Sequence, residues 1–224
     1  MKVVVIACIH NDVESIINFS DRLAELNFDV IVCPGDFLDA PIKKIDSLEL
    51  GKLIVSALKT FDKPLLVVPG CWDKVLINFF EKEGISILGK GVVVDNVGFY
   101  GFGGAKTPFN LPYEPSEEEI KTGLEKGWND VKDCKYKIQV THAPPLDTKL
   151  DIITIGAHVG SSSVREFIEK HQPTTAICCH IHEARNVDVI GKTKIINPGR
   201  FPEGYCGFIT IEKDLVDVKL INLT

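Results

Sequence analysis

The N-terminal third of the chain alternates apolar, β-branched runs with segments patterned for helix, and that alternation leaves few architectures open. Residues 2–8 read as a strand buried on both faces, because their apolar residues are nearly continuous instead of spaced every second position. Residues 12–26 follow with Val13, Ile16, Ile17, Leu23 and Leu26 at helical spacing, and Asp12 stands where a helix N-cap belongs. Residues 29–33 give a second strand, 46–61 a second helix and 64–68 a third strand. Strands buried on both faces and joined by helices pair in parallel through right-handed crossovers.

After residue 85 the pattern changes. Residues 92–94 and 99–102 flank Asp95-Asn96-Val97-Gly98 and read as a hairpin. Ser116-Glu117-Glu118-Glu119 is a capping box opening a helix expected to fade near Trp128. A strand at 138–141, a helix at 161–171 and a strand at 175–179 come next. The tail supplies strands at 186–190, 193–196, 205–211 and 215–220. These are too many strands for one modest sheet, so two packed sheets with helices outside are expected, in a single α/β domain, residues 1–224.

Composition narrows function by exclusion. The net charge of −6 argues against a dedicated nucleic-acid surface, which needs a basic face. Seven cysteines, an odd number without a C-x-x-C pair, match no secreted disulfide framework. The apolar run 3–9 is too short for a signal peptide, and no stretch approaches the ~20 residues that span a bilayer. The expectation is a cytoplasmic protein with reduced thiols and no membrane partner.

The chemistry-bearing residues gather where strands end. Cys8-Ile9-His10 closes the first strand, Gly35-Asp36 the second and Gly70-Cys71-Trp72-Asp73 the third; Thr141-His142-Ala143-Pro144-Pro145 and Cys179-His180-Ile181-His182 close two later ones. Ligands of parallel α/β sheets collect beyond the carboxyl ends of strands, so these five endings are a candidate metal cluster. Residues two apart on an extended segment point the same way, so Cys8 with His10, and His180 with His182, are each expected to reach one locus. Asp36 is expected to offer one carboxylate oxygen to each of two ions ~3.5–4 Å apart, a spacing suited to clamping a phosphoryl group and activating water.

In this order the five segments resemble the motifs D-x-H, G-D, G-N-H-[DE], H and G-H-x-H of the calcineurin-like metallophosphoesterase superfamily. The resemblance runs from residue 3 to about residue 199 and includes Asn197-Pro198-Gly199. Gly101-Phe102-Gly103-Gly104 through Thr107-Pro108-Phe109 is similar to a prokaryotic branch of predicted phosphoesterases. The resemblance implies an αββα sandwich of two mixed sheets flanked by helices, two divalent ions, Zn, Fe or Mn, and hydrolysis of a phosphodiester or a small phosphorylated metabolite. It assigns positions 8 and 10, Asp36 and His182 to one metal site, and Asp36, position 71, His142 and His180 to the other.

The chain departs from the family pattern at three site positions. Cys8 replaces Asp, Cys71 replaces Asn, and Trp72 replaces a His associated with the leaving group. As thiolates, Cys8 and Cys71 would bias the centre toward Zn or Fe; as small apolar residues they would fill a site that has lost its function. With Trp72 in place, a leaving-group proton must come from water, from His10 or from the substrate, which favours esters with good leaving groups. Cys179 takes the place of a family Gly. Asp73, without a His to orient, is expected to be structural and to cap the helix that follows. His158, just before a helix start, is a candidate substrate contact. The glycine-rich residues 101–107 lack the Gly that should precede Lys106 in a phosphate loop and read as a turn. The rival to a phosphoesterase is a binding scaffold on the same fold.

Overall fold

Val3, Val4 and Val5 are all fully buried, yet they point in two directions, and that split organises the molecule. Val3 and Val5 face Val97, Phe99, Ile138, Val140, Ile177 and Ile196. Val4 and Ile6 face the opposite way, onto Ile16, Leu23, Ile54 and Leu58. Period-two alternation with apolar residues on both faces is what a strand inside a layered α/β protein requires.

The computed structural model describes residues 1–213 and 215–224. The first sheet joins β1 (Lys2–Val5), β2 (Val30–Cys33) and β3 (Leu65–Val67) in parallel. The strands β10 (Tyr205–Glu212) and β11 (Leu215–Asn222) extend it antiparallel, in the order β11-β10-β1-β2-β3. The second sheet contains β4 (Gly91–Val94), β5 (Val97–Phe102), β6 (Tyr136–Thr141), β7 (Thr175–Ile177), β8 (Asn186–Ile190) and β9 (Thr193–Asn197), ordered β4-β5-β6-β7-β9-β8. Its central strands β5, β6, β7 and β9 run parallel, and its two edges run antiparallel.

Helices α1 (Val13–Asn18), α2 (Ser20–Glu25), α3 (Ser47–Lys59) and α4 (Ile77–Lys82) pack on the outer face of the first sheet. Helices α5 (Glu117–Val131) and α6 (Ser162–His171) cover the second through Leu124, Val164 and Phe167. The result is the four-layer α/β sandwich of two mixed sheets flanked by helices.

Differences from the sequence expectations have local causes. The single helix expected over 12–26 is two six-residue helices broken at Phe19, whose ring packs edge-on to Phe201 at 5.8 Å; Asp12 still caps the first, accepting from the Ser15 N–H at 3.0 Å. The hairpin turn is Asp95-Asn96 alone, both with left-handed φ (45° and 67°), as a two-residue type I′ turn requires, and Val97 and Gly98 belong to β5. Helix α5 carries its capping box as expected but continues to the buried Val131. Strands 2–8 and 175–179 stop at Val5 and Ile177, because the residues after them bend to aim side chains at one end of the sheets.

Candidate metal centre

The bend after β1 is made by non-glycine residues in left-handed conformation: Cys8 (φ 52°), His10 (φ 51°) and Asn11 (φ 68°). Asp36 (φ 54°) and His180 (φ 74°) share it. Such backbone is uncommon outside glycine and costs of order 1–3 kcal/mol per residue, and it clusters where side chains must be aimed. Two glycines make the approach of these loops possible. A Cβ on Gly35 would lie 2.5 Å from the Gly70 nitrogen and 2.8 Å from Nδ1 of His142, and one on Gly70 would lie 2.1 Å from the Asp36 nitrogen.

These loops assemble two triads. Cys8, His10 and His182 form one, and Cys71, His142 and His180 the other; within each, the donor atoms lie within 4.8 Å of one another. Asp36 stands between them, with Oδ2 4.0 Å from Nε2 of His10 and 3.3 Å from Nε2 of His142. Its Oδ1 is occupied by the Trp72 N–H at 3.1 Å. One carboxylate oxygen therefore faces both triads, where the sequence suggested one oxygen for each.

Spacing alone puts His180 and His182 at one locus, whereas the resemblance assigns them to two metal sites. His180 is left-handed and His182 opens a short 3-10 helix, so the segment is not extended and the two rings go to different triads. His10 and His182 meet with their Nε2 atoms 3.0 Å apart, and the His142 and His180 rings have centroids 5.0 Å apart. Nδ1 of His180 lies 3.9 Å from the Cys71 sulfur.

Two groups outside the motifs stand against the imidazoles. Nδ1 of His142 lies 3.0 Å from the Pro34 carbonyl, which holds the proton there and leaves Nε2 free to face Asp36. Asp39 Oδ2 lies 3.6 Å from Nδ1 of His10. Sequence reasoning did not reach either: Asp39 belongs to no recognisable spacing, and a backbone carbonyl has no sequence signature.

Electrostatics separates the two cysteines. Burial raises the Cys8 thiol, but hydrogen bonds from Cys179, His10 and His182 outweigh it and hold Cys8 well below the ordinary thiol range. Burial also raises Cys71, and there His142 does not compensate; its thiol donates to the Ala105 carbonyl at 3.5 Å. Burial opposes the charge of His142, yet Asp36 and Cys71 raise its pKa well above the usual value. His180 is pushed down to about 4 by burial and the neighbouring His142 charge.

Asp73 does not cap the helix after it. Its buried carboxylate accepts the N–H groups of Gly70 at 2.7 Å, Phe37 at 3.2 Å and Leu38 at 2.9 Å, stapling two of the motif loops together. Burial and the Asp36 charge push its pKa up to about 7, and the three N–H donors pull the other way. His158 donates through Nδ1 to the Asp151 carboxylate at 2.7 Å, and its backbone bridges Ile152. Its neighbour Val159, not His158, lines the cavity that opens above the triads.

That cavity has a volume of about 790 Å³ and reaches His10, Asp36, His180 and His182. Trp72 forms part of its wall. Among the described residues no helix is long and apolar enough to cross a membrane.

A family model described as metallophosphoesterase, calcineurin superfamily, matches residues 1–221. An uncharacterized protein of Methanocaldococcus jannaschii is 36% identical over 191 residues, covering 81% of this chain and 85% of its own. A solved structure from Thermus thermophilus superposes with a TM-score of 0.75 at 16% identity, over 100% of this chain and 99% of that one. A dimetal phosphatase from Danio rerio superposes with a TM-score of 0.68 at 10% identity, over 100% and 96%.

Proposed function

The chain belongs to the calcineurin superfamily of metallophosphoesterases, and on that premise we propose that it hydrolyses a phosphodiester or a small phosphorylated metabolite at a centre for two divalent ions. The observation that carries this reading is the pair of triads flanking a single oxygen of Asp36. The residues fit such ions. His142 Nε2 is buried without a hydrogen-bond partner, and the His10 and His182 Nε2 atoms lie 3.0 Å apart, close enough for both to reach one ion held beside them. Cys8, His10, Asp36 and His182 would hold one ion, and Asp36, Cys71, His142 and His180 the other. The mixed sulfur and imidazole donors favour Zn or Fe over harder ions.

When bound, the ions supply Lewis-acid activation of the phosphoryl group and of the attacking water. The protein's own groups do the rest. Asp36 stands between the two halves, the Pro34 carbonyl fixes the ring orientation of His142, Asp39 places a negative charge 3.6 Å from Nδ1 of His10, and the cavity walls restrict water around the ester. Trp72 has no proton to give, so the departing oxygen is protonated by solvent, by His10 or by the substrate itself. That arrangement suits good leaving groups such as aryl esters, because general acid help is worth ~10²–10⁴-fold for poor ones.

The test is hydrolysis of bis(p-nitrophenyl) phosphate by metal-free protein and by protein loaded with Mn²⁺ or Zn²⁺. Metal-dependent turnover that Asp36→Asn abolishes supports the reading. Protein that binds neither ion, or that binds them without turning over any ester, overturns it. The second outcome would favour a binding scaffold, the reading that Trp72 by itself supports.

A further inference from the structure

Resting on that phosphoesterase reading, we infer that the substrate carries a bulky hydrocarbon ester group, seated in a cleft whose walls come from two loops outside the metal-ligand motifs. Above the His and Asp floor, the cavity is walled by Trp72, Phe109, Leu111, Ile153, Ile155 and Val159. Phe109 is 75% exposed and Ile155 84%, an unusual way to leave two large apolar side chains that face one cavity.

Neither loop is slack. Glu114, half-buried with a side chain 6% exposed, accepts from the Thr107 hydroxyl and from the Leu111 N–H at 2.8 Å, and it pairs with Lys106 at 3.3 Å. These contacts hold Phe109 up at the mouth. On the other side the fully buried Asp151 accepts the N–H groups of Asp147 at 3.1 Å, Thr148 at 2.9 Å and Gly160 at 3.0 Å, and it binds His158 at 2.7 Å. Glu183 adds bonds to the Thr154 N–H and hydroxyl at 3.4 and 3.3 Å. Each wall is thus built around a carboxylate, and most of what it presents to the cavity is hydrocarbon, with Lys106, Thr107, Thr154 and Glu183 as the polar members.

The charge pattern excludes competing substrates. Lys106 is the one Lys or Arg among the described residues lining the cavity, and Glu114 already offsets it. A polyphosphate would find no cations there to match its charge beyond the centre itself. A sugar or polyol ester would set most of its hydroxyls against Phe109, Ile153 and Ile155, with only Thr107, Thr154 and Glu183 on the walls as uncharged or acidic partners, and each hydroxyl buried unpartnered costs ~1–3 kcal/mol. A hydrocarbon group meets neither penalty, and each buried methylene is worth roughly three- to fourfold in affinity.

Diesters of p-nitrophenol whose second ester group is methyl, glyceryl, butyl or hexyl test this, because the leaving group, and so the chemistry, stays constant. The expected result is a kcat/KM that rises at least tenfold from methyl to hexyl, with the glyceryl ester no better than methyl. In the double variant Phe109→Ser, Ile155→Ser the rise should shrink to within about threefold; both side chains are exposed, so the fold tolerates the change. Calorimetric binding of hexylphosphonate against methylphosphonate to metal-loaded protein makes the same comparison without turnover. A flat series, or a preference for the glyceryl ester, overturns this inference while leaving the phosphoesterase reading intact. Hydrolysis of no ester by protein that holds its ions overturns the reading beneath it, and equal binding of the two phosphonates then overturns the inference as well.

Discussion

The sulfur of Cys179 lies 3.1 Å from Nδ1 of His142, and both converge on the Pro34 carbonyl oxygen, at 3.2 and 3.0 Å. Burial and the neighbouring Cys8 hold the Cys179 thiol well above the ordinary range, so it remains an S–H donor. Its one proton goes to the Cys8 sulfur or to the Pro34 carbonyl, whose two lone pairs can take it beside the ring N–H. Cys179 therefore fills, beside His142, the space that a Gly leaves open in the family motif. Cys179→Gly should cost about 1–2 kcal/mol in denaturant unfolding. Because Pro34 still holds the ring, it should lower Zn²⁺ affinity by no more than about tenfold. Loss of an entire equivalent of metal would show that the sulfur is itself a ligand.

Trp72 bears on which esters are hydrolysed quickly. Trp72→His places a titratable group on the cavity wall, next to the Asp36 loop. The variant should gain at least tenfold on alkyl leaving groups and little on p-nitrophenolate, flattening the dependence of rate on leaving-group pKa. Equal effects on both classes would mean that the leaving oxygen departs elsewhere.

Asp73 joins two loops that carry candidate ligands. Asp73→Ala would leave three buried N–H groups without an acceptor, at about 3 kcal/mol or more of unfolding free energy. Asp73→Asn retains one acceptor oxygen and should lose less. A shift of the urea midpoint in Asp73→Ala no larger than that of an exposed substitution such as Glu118→Ala would contradict the staple.

The Asp151–His158 pair gives the cavity wall a pH dependence. A hydrogen bond from His158 to the Asp151 carboxylate raises the His pKa above its ordinary value of ~6.5. A raised folded-state pKa means that the stabilisation is fully present below ~6.5 and is lost as pH rises through the folded value. Amide exchange at Thr154 and Ile155 should therefore accelerate as pH rises through that value, beyond the intrinsic base-catalysed increase. In Asp151→Asn the NMR-measured pKa of His158 should return toward ~6.5; an unchanged pKa would rule out the pair as its cause.

Much of the fold was legible because it rests on patterns that local sequence carries. The continuous apolar runs around Val3, Val30 and Leu65, and the Ser116–Glu119 capping box, name their own elements. The positions of the centre were legible for a different reason, a recurring order of Cys, His and Asp at strand ends. How those residues divide came from the resemblance and is not written in their spacing. His180 and His182 part because one residue is left-handed, a conformation imposed by the packing of whole loops and not by its neighbours in sequence. Phe19 breaks a helix through an edge-on contact with Phe201, far along the chain. Asp39, Glu114 and Asp151 work through backbone groups and single ring nitrogens, and no spacing announces them.

The central claim is that Cys8 stands among ligands, with His10 and His182, and that a separate set forms around His142. Elemental analysis of protein loaded with Zn²⁺ and freed of excess ion tests it most directly. The account predicts two ions per chain, one for each triad, falling by about one in Cys8→Ala and by about one in His142→Ala. A wild-type protein that holds no ion, or a Cys8→Ala variant with undiminished metal, would contradict it.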